Sequence, residues 1–311
     1  MKALKKFPSL LLTAAVLLAI VLFLVFPARY SESVKEGIML WAVSVLPATL
    51  PFLFLTAIFT KRKLFSRVTR LLTPLSGKAF HISGAGACAA FLSVISGYPV
   101  GARTVLDLYA AGHLSDEEKL RVAAIATTTG PGFLVGAVGY GMFHSPVLGW
   151  LLFAAHLIGI YPVCFLLRFT AKQKTFPLPP LKEEKISLAE ILSSSVLSVL
   201  CVGGAIALFY AFGAMIADMG ALFSLPHAFE VILRGLLEMT SGCSLLKDSP
   251  TPFSLALCAF FVTFGGLCVL VQQLAFLTQT GISAPKFILI KFCQGVLAAL
   301  ACAGLALLFG I

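Results

Sequence analysis

The chain has 311 residues, 59% of them hydrophobic and only 12% charged, with a mean hydropathy of +1.00. A soluble domain carries about 25% charged residues, so the composition excludes a water-soluble globular protein and predicts one solvated by lipid. The 23 Lys and Arg against 13 Asp and Glu, net +10, would suit nucleic acid in a soluble protein, but here the cations gather in particular loops, where they set membrane orientation, and no nucleic-acid partner is expected.

Residues 1–35 open on Lys2, Lys5 and Lys6 and continue into an apolar run at 9–26. "FPARYSES" offers no small-x-small cleavage site, so the segment is read as a retained signal-anchor helix. Residues 36–168 follow as a full span (37–59), a Gly/Ser-broken short segment (about 80–112), an interrupted span (120–143) and a full span (147–168). A Lys- and Pro-rich cytoplasmic linker is expected at 169–190. Residues 191–311 repeat the order: a full span (191–217), a broken segment (about 227–247), an interrupted span (252–277) and a full span (286–310). Ser96-Gly97 lines up with Ser241-Gly242, and Thr129-Gly130-Pro131-Gly132 with Phe264-Gly265-Gly266.

The positive-inside rule orients these segments. Lys2, Lys5, Lys6, then Lys61, Arg62, Lys63, Arg67, Arg70 and Lys78, then Lys119 and Arg121, then Arg168, Lys172, Lys174, Lys182 and Lys185 fall on one side. The opposite loops hold Arg29, Lys35, Arg234 and Lys247. The amino terminus is therefore expected in the cytoplasm and the carboxyl terminus on the outer face of the cell membrane. The first broken segment then enters from inside and the second from outside. The fold expected is an all-α polytopic membrane protein of about seven transmembrane helices and two re-entrant hairpins, in two repeats of inverted topology.

Backbone that leaves the helix at membrane depth survives only inside protein or beside water. "SGYPVGA" and "TTTGPGF" must unwind, because proline removes a donor and glycine weakens the helix. Such breaks present half-helix ends to a solute. The candidate solute-binding residues are Ser96, Gly97, Tyr98, Pro99, Gly101, Thr128, Thr129, Gly130, Pro131, Ser241, Gly242, Gly265, Gly266 and Gln272. Close helix packing is the plainer reading of the same glycines. His156, Glu238 and Gln294 are candidates for ion or proton coupling, as polar groups inside apolar segments. Arg103 with Asp107, and Glu230 with Arg234, sit four apart and are read as helix-face pairs. Ser115 and Glu118 form a capping box.

The eight cysteines show no C-x-x-C and the five histidines no H-E-x-x-H. No metal site or cofactor is expected. Without G-x-x-x-x-G-K-[ST], G-x-S-x-G or paired aspartates, neither an ATP-driven pump nor an enzyme is expected.

The run from Ser96 to Gly159, with "EMTSGCSLL" and "FGGLCVLVQQLAFLTQTGISAPKFILIKFCQGVLAAL", resembles the sporulation integral membrane protein family called YlbJ, over about residues 35–310. That family is grouped with Gate or nucleoside-recognition domain proteins, similar to parts of concentrative nucleoside transporters and of ferrous iron transporter gates. The resemblance implies an association with endospore formation and the movement of a solute that family membership does not fix; the function expected is a secondary-transporter-like permease for a small polar solute or ion. The partners expected are the bilayer, an unidentified small solute, other sporulation membrane proteins and further copies of the chain. Thr127, Thr128 and Thr129 stand where asparagines are expected in relatives. A non-transporting scaffold or assembly factor, and more weakly an intramembrane enzyme, are the alternative functions.

Overall fold

The computed structural model of the chain describes residues 2–171, 187–224, 226–248 and 250–311, so Lys172, Lys174, Lys182 and Lys185 of the expected linker lie outside the described residues. Of the described residues 84% are helical, and there is no strand among them. Helix α1 (Lys2–Val25) turns by 106° into α2 (Pro27–Leu40), which runs through a π-helical turn (Trp41–Val45) into α3 (Leu46–Thr60). The helical course of the expected 37–59 span thus starts ten residues early, where Pro27 supplies the φ of a first helical turn. Next come α4 (Lys63–Phe80), α5 (Gly84–Ser96), α6 (Val100–Ala110), α7 (Lys119–Ile125), a π-helical segment (Gly132–Met142) and α8 (Pro146–Leu167). The second half holds α9 (Leu188–Leu222), α10 (His227–Leu237), α11 (Met239–Ser244), α12 (Pro252–Phe264), α13 (Gly266–Leu277) and α14 (Ala284–Leu308).

By length and composition, four of the described helical stretches can cross a membrane, and up to six if each bent pair counts as one span. The protein is therefore a multi-pass membrane protein. The expected interrupted span at 120–143 is divided between α7, of seven residues, and the π-helical segment, of 11. Helix α4 was not expected. Its basic residues were read as loop, but their spacing leaves Phe65, Ser66, Thr69 and Ser76 on one buried face, and it meets α5 at 88°.

Helix starts follow from local chemistry. The hydroxyls of Ser83, Ser145, Ser187 and Thr251 accept from the N–H three residues on, at 3.2–3.4 Å, beginning α5, α8, α9 and α12. The Ser115–Glu118 box forms at the start of α7. It does more than begin a helix, because the same Glu118 carboxylate accepts from the Ser83 N–H at 2.6 Å.

Polar contacts gather the loops at two ends. At one end Arg121 Nε donates to the His81 carbonyl (3.1 Å), His81 Nδ1 donates to the Arg168 carbonyl (3.0 Å), and Lys119 donates to the Thr280 carbonyl (2.6 Å). At the other, Arg29 and Asp218 pair at 3.1 Å, joining the start of α2 to the last turns of the 35-residue α9. The core is shared by both halves. Ala85, Ala89, Val122 and Ala126 pack with Phe264, Leu270 and Phe287, and Leu134 and Leu152 pack with Leu255, Val262 and Ala298.

Helices α8 and α14 cross where Gly159 allows it. A Cβ there would stand 2.6 Å from Ala298 Cβ and 2.6 Å from the Gln294 carbonyl. Gly159→Val is expected to destabilise by about 1–3 kcal/mol through overpacking. Gly304→Val, on α14 with open space around it, is expected to be nearly neutral. Thermal unfolding in detergent compares the two, and equal effects would contradict this account of the crossing.

Candidate functional site

The two hairpin tips and the two broken helices meet in pairs. In the first half α5 ends at Gly97, and the chain turns through Tyr98-Pro99, a cis peptide, into α6. Gly97 has φ +77°, and a Cβ on it would lie 2.8 Å from the Gly130 nitrogen, so glycine is required both by conformation and by space. The break at 126–131 therefore lies directly against the hairpin tip. In the second half α12 ends on the left-handed Gly265, φ +91°, and α13 begins with Gly266. A Cβ on Gly266 would stand 3.2–3.3 Å from the carbonyls of Gly235, Leu236 and Leu237, where α10 gives way to α11.

Side chains from α8, α14 and the first hairpin join these pairs. His156 is fully buried, and its Nε2 accepts from the Thr129 N–H at 3.1 Å. That nitrogen therefore carries no proton, and Nδ1 donates to Thr263 Oγ1 at 2.9 Å. One neutral imidazole thus links the break of the first half to the end of α12 in the second. The Tyr98 hydroxyl reaches the same place, 3.2 Å from the Val262 carbonyl and 3.3 Å from that of Thr263. From α14, Lys291 Nζ donates to the Thr127 carbonyl at 2.8 Å, and Gln294 Nε2 to the Ala124 carbonyl at 3.0 Å. Thr128 Oγ1 and Ser93 Oγ share a hydrogen bond of 3.0 Å, and Ser93 Oγ also accepts from the Thr128 N–H.

The expected residues do not all gather here. Gly97, Tyr98, Pro99, Thr128, Thr129, Gly130, His156 and Gln294 lie at or beside the first break. Pro131 begins the π-helical segment, and Gly101 lets α6 approach the Ala126 carbonyl. Ser96 Oγ donates to the carbonyl of Leu92, within its own helix. Ser241 and Gly242 lie inside α11 rather than at the break, which falls at Glu238. The Glu238 carboxylate caps that helix, accepting from Thr240 and Ser241 N–H at 3.0 and 2.7 Å. Gln272 contacts Cys268 Sγ on its own helix. Six of the eight cysteines are buried, whereas Cys201 and Cys293 are exposed.

The sequence reading passed over Lys291 and Thr263. A lone cation within an apolar helix is itself a signal, and Lys291 lies three residues before Gln294 on the same face of α14. Beside the first hairpin a cleft of about 530 Å³ is lined by Lys61, Arg103, Asp107, His113, Glu190 and Ser194. Arg103 pairs with Asp107 at 2.9 Å, and its Nη1 donates to Ser198 of α9 at 2.8 Å, so this pair ties the hairpin to α9 as well as lying along one helix.

His156→Leu leaves the buried Thr129 N–H without a partner, which costs about 1–3 kcal/mol. The expected result is a lower unfolding temperature with faster hydrogen exchange confined to residues near 127–132. Unchanged exchange there would rule out the imidazole as the tie.

No protein-family model and no solved structure matches the chain. Among curated proteins it is similar to the sporulation integral membrane protein YlbJ of Bacillus subtilis (strain 168). The two are 29% identical over 335 aligned positions, covering 95% of this chain and 82% of the relative. The likeness thus runs through both hairpins, both broken helices and the α8–α14 crossing, and the chain is similar to this sporulation integral membrane protein over nearly its whole length.

Proposed function

We propose that the chain is a secondary-transporter-like permease of the cell membrane, associated with endospore formation, that moves a small polar solute or ion. The observation that carries this reading is the joining of two broken helices, one from each half, through His156, beside a hairpin tip that reaches both. Irregular backbone at membrane depth is characteristic of solute sites in transporters built from inverted repeats. The same pairing of hairpin with broken helix recurs in each half, which supports the Gate-like inverted repeat and the division at the 169–190 linker. The B. subtilis relative's name supports the link to sporulation. The solute would meet Gly97, Tyr98, Thr128, Thr129 and Gly130 in the first half and Gly265 and Gly266 in the second. The cleft beside Arg103 would be its cytoplasmic approach.

A non-transporting scaffold is the second reading, favoured by the tight packing at the crossing, where Thr128, His156, Thr263, Lys291 and Gln294 are all 0% exposed. A thermal-unfolding screen of nucleosides, nucleobases, amino acids, dipicolinate and divalent metals, with and without sodium, separates the two. A solute at 100 times its Kd stabilises by about 2.7 kcal/mol. For a permease a hit is expected in wild type and lost in Thr129→Leu. A folded protein that responds to nothing supports the scaffold.

Orientation has its own test. In a background with Cys201 and Cys293 replaced by alanine, an impermeant maleimide applied to intact cells is expected to label Lys247→Cys and to miss Lys78→Cys. The reverse pattern would invert the topology.

A further inference from the structure

Lys291 is fully buried on α14, two turns from its start, in a protein whose hydrocarbon surroundings hold no counter-charge for it. Its one hydrogen bond is to the Thr127 carbonyl, and its Nζ stands 5.6 Å from the centre of the Tyr98 ring. The other titratable groups electrostatically coupled to it are His156 and Cys164 of α8; of the other helices packed on α14, α7 carries Arg121 and Lys119, which donate to the His81 and Thr280 carbonyls, and α12 carries Cys258, buried in the core. No carboxylate among the described residues pairs with it. The buried acids Glu118 and Glu238 are both occupied as helix caps. An ammonium in this position is an uncompensated charge inside the membrane, which is strongly unfavourable. The nearby His156 cannot relieve it, because one ring nitrogen accepts from Thr129 and the other donates to Thr263. One turn along the same face of α14, the Gln294 Oε1 is buried with no hydrogen-bond partner.

We propose, on the permease reading, that the solute carries an anionic group, carboxylate or phosphate, and that Lys291 binds it together with one proton. The empty site is electrically balanced with Lys291 as the neutral amine, which still donates to the Thr127 carbonyl. Loading moves a proton from solution onto the amine and sets the resulting ammonium against the solute anion. Unloading returns both. With a carboxylate, neither the empty nor the loaded site then presents a net charge to the hydrocarbon; a phosphate monoester, close to a dianion at pH 8, reaches the same balance only by bringing a second proton on its own oxygen. In both cases the proton is the coupling ion. The unpaired Gln294 Oε1 accepts from a hydroxyl or amino group on the same solute. Because Thr127 belongs to the first-half break and Lys291 to the second half, the change of charge acts on the contact that joins the two halves.

The purified full-length protein is tested with three matched pairs: lactate and lactamide, glycerol 3-phosphate and glycerol, uridine monophosphate and uridine. Unfolding temperature is followed together with proton uptake from weakly buffered solution at pH 8. In wild type, the anionic member of at least one pair is expected to stabilise more than its neutral twin and to draw a proton onto the protein. Lys291→Met is expected to lose that difference. Lys291→Arg, permanently charged, is expected to keep anion binding but to take up one proton fewer. Lys291→Gln, which retains a donor for the Thr127 carbonyl, serves in place of Lys291→Met if the latter does not fold. Anion binding that survives loss of the amine, or that proceeds without proton uptake, overturns the proposal. Neutral members that stabilise wild type and Lys291→Met alike also overturn it while leaving the permease reading intact. Silence from every pair, with the broader screen giving a hit, does the same.

Discussion

A helix broken inside hydrocarbon exposes backbone groups that lipid cannot satisfy, and this constraint organises the molecule. Each break is met by protein. The Thr129 N–H goes to His156, the Thr127 carbonyl to Lys291, the Ala124 carbonyl to Gln294 and the Thr128 N–H to Ser93. These partners come from α8, α14 and the first hairpin, so the helices that carry them must lie where they do. Gly159 and the small side chains of α5 and α7 are the packing side of the same requirement, since polar side chains reach the breaks only if the backbones approach closely.

His156 makes the arrangement directional. An imidazole with a backbone donor on one nitrogen and a threonine oxygen on the other is held as one tautomer, and it senses both breaks at once. Lys291 differs, because a carbonyl partner accepts from a neutral amine as well as from an ammonium. The crossing therefore combines a tie of fixed protonation with a neighbour whose charge can change without losing its hydrogen bond.

Much of this was legible in the sequence, and the misses share physical reasons. Gly97-Tyr98-Pro99 and Gly130-Pro131 mark breaks because proline and glycine act through local sterics, and Gly265-Gly266 behaves likewise. The second hairpin was misplaced by three residues, since its break is made by a glutamate in extended conformation capping α11, a role that composition does not display. Helix α4 was lost among its own cations, whose charge suggested a loop although their spacing suited an amphipathic helix. Lys291 was absorbed into an apolar average. What tied it to Thr127 is a contact between residues 164 apart in sequence, which no local pattern encodes.

The length of α9 bears on the membrane itself. Thirty-five residues at about 1.5 Å each come to some 50 Å, against a hydrocarbon core of about 30 Å. Between Glu190 in its first turn and Asp218 near its end, it exposes Leu192, Leu197, Leu200 and Leu208. Helices α2 and α3 pack beside it. The ends of α9 carry Glu190 and the Asp218 that pairs with Arg29, so a helix of this length either leans within a bilayer of ordinary thickness or carries those charged turns beyond the hydrocarbon.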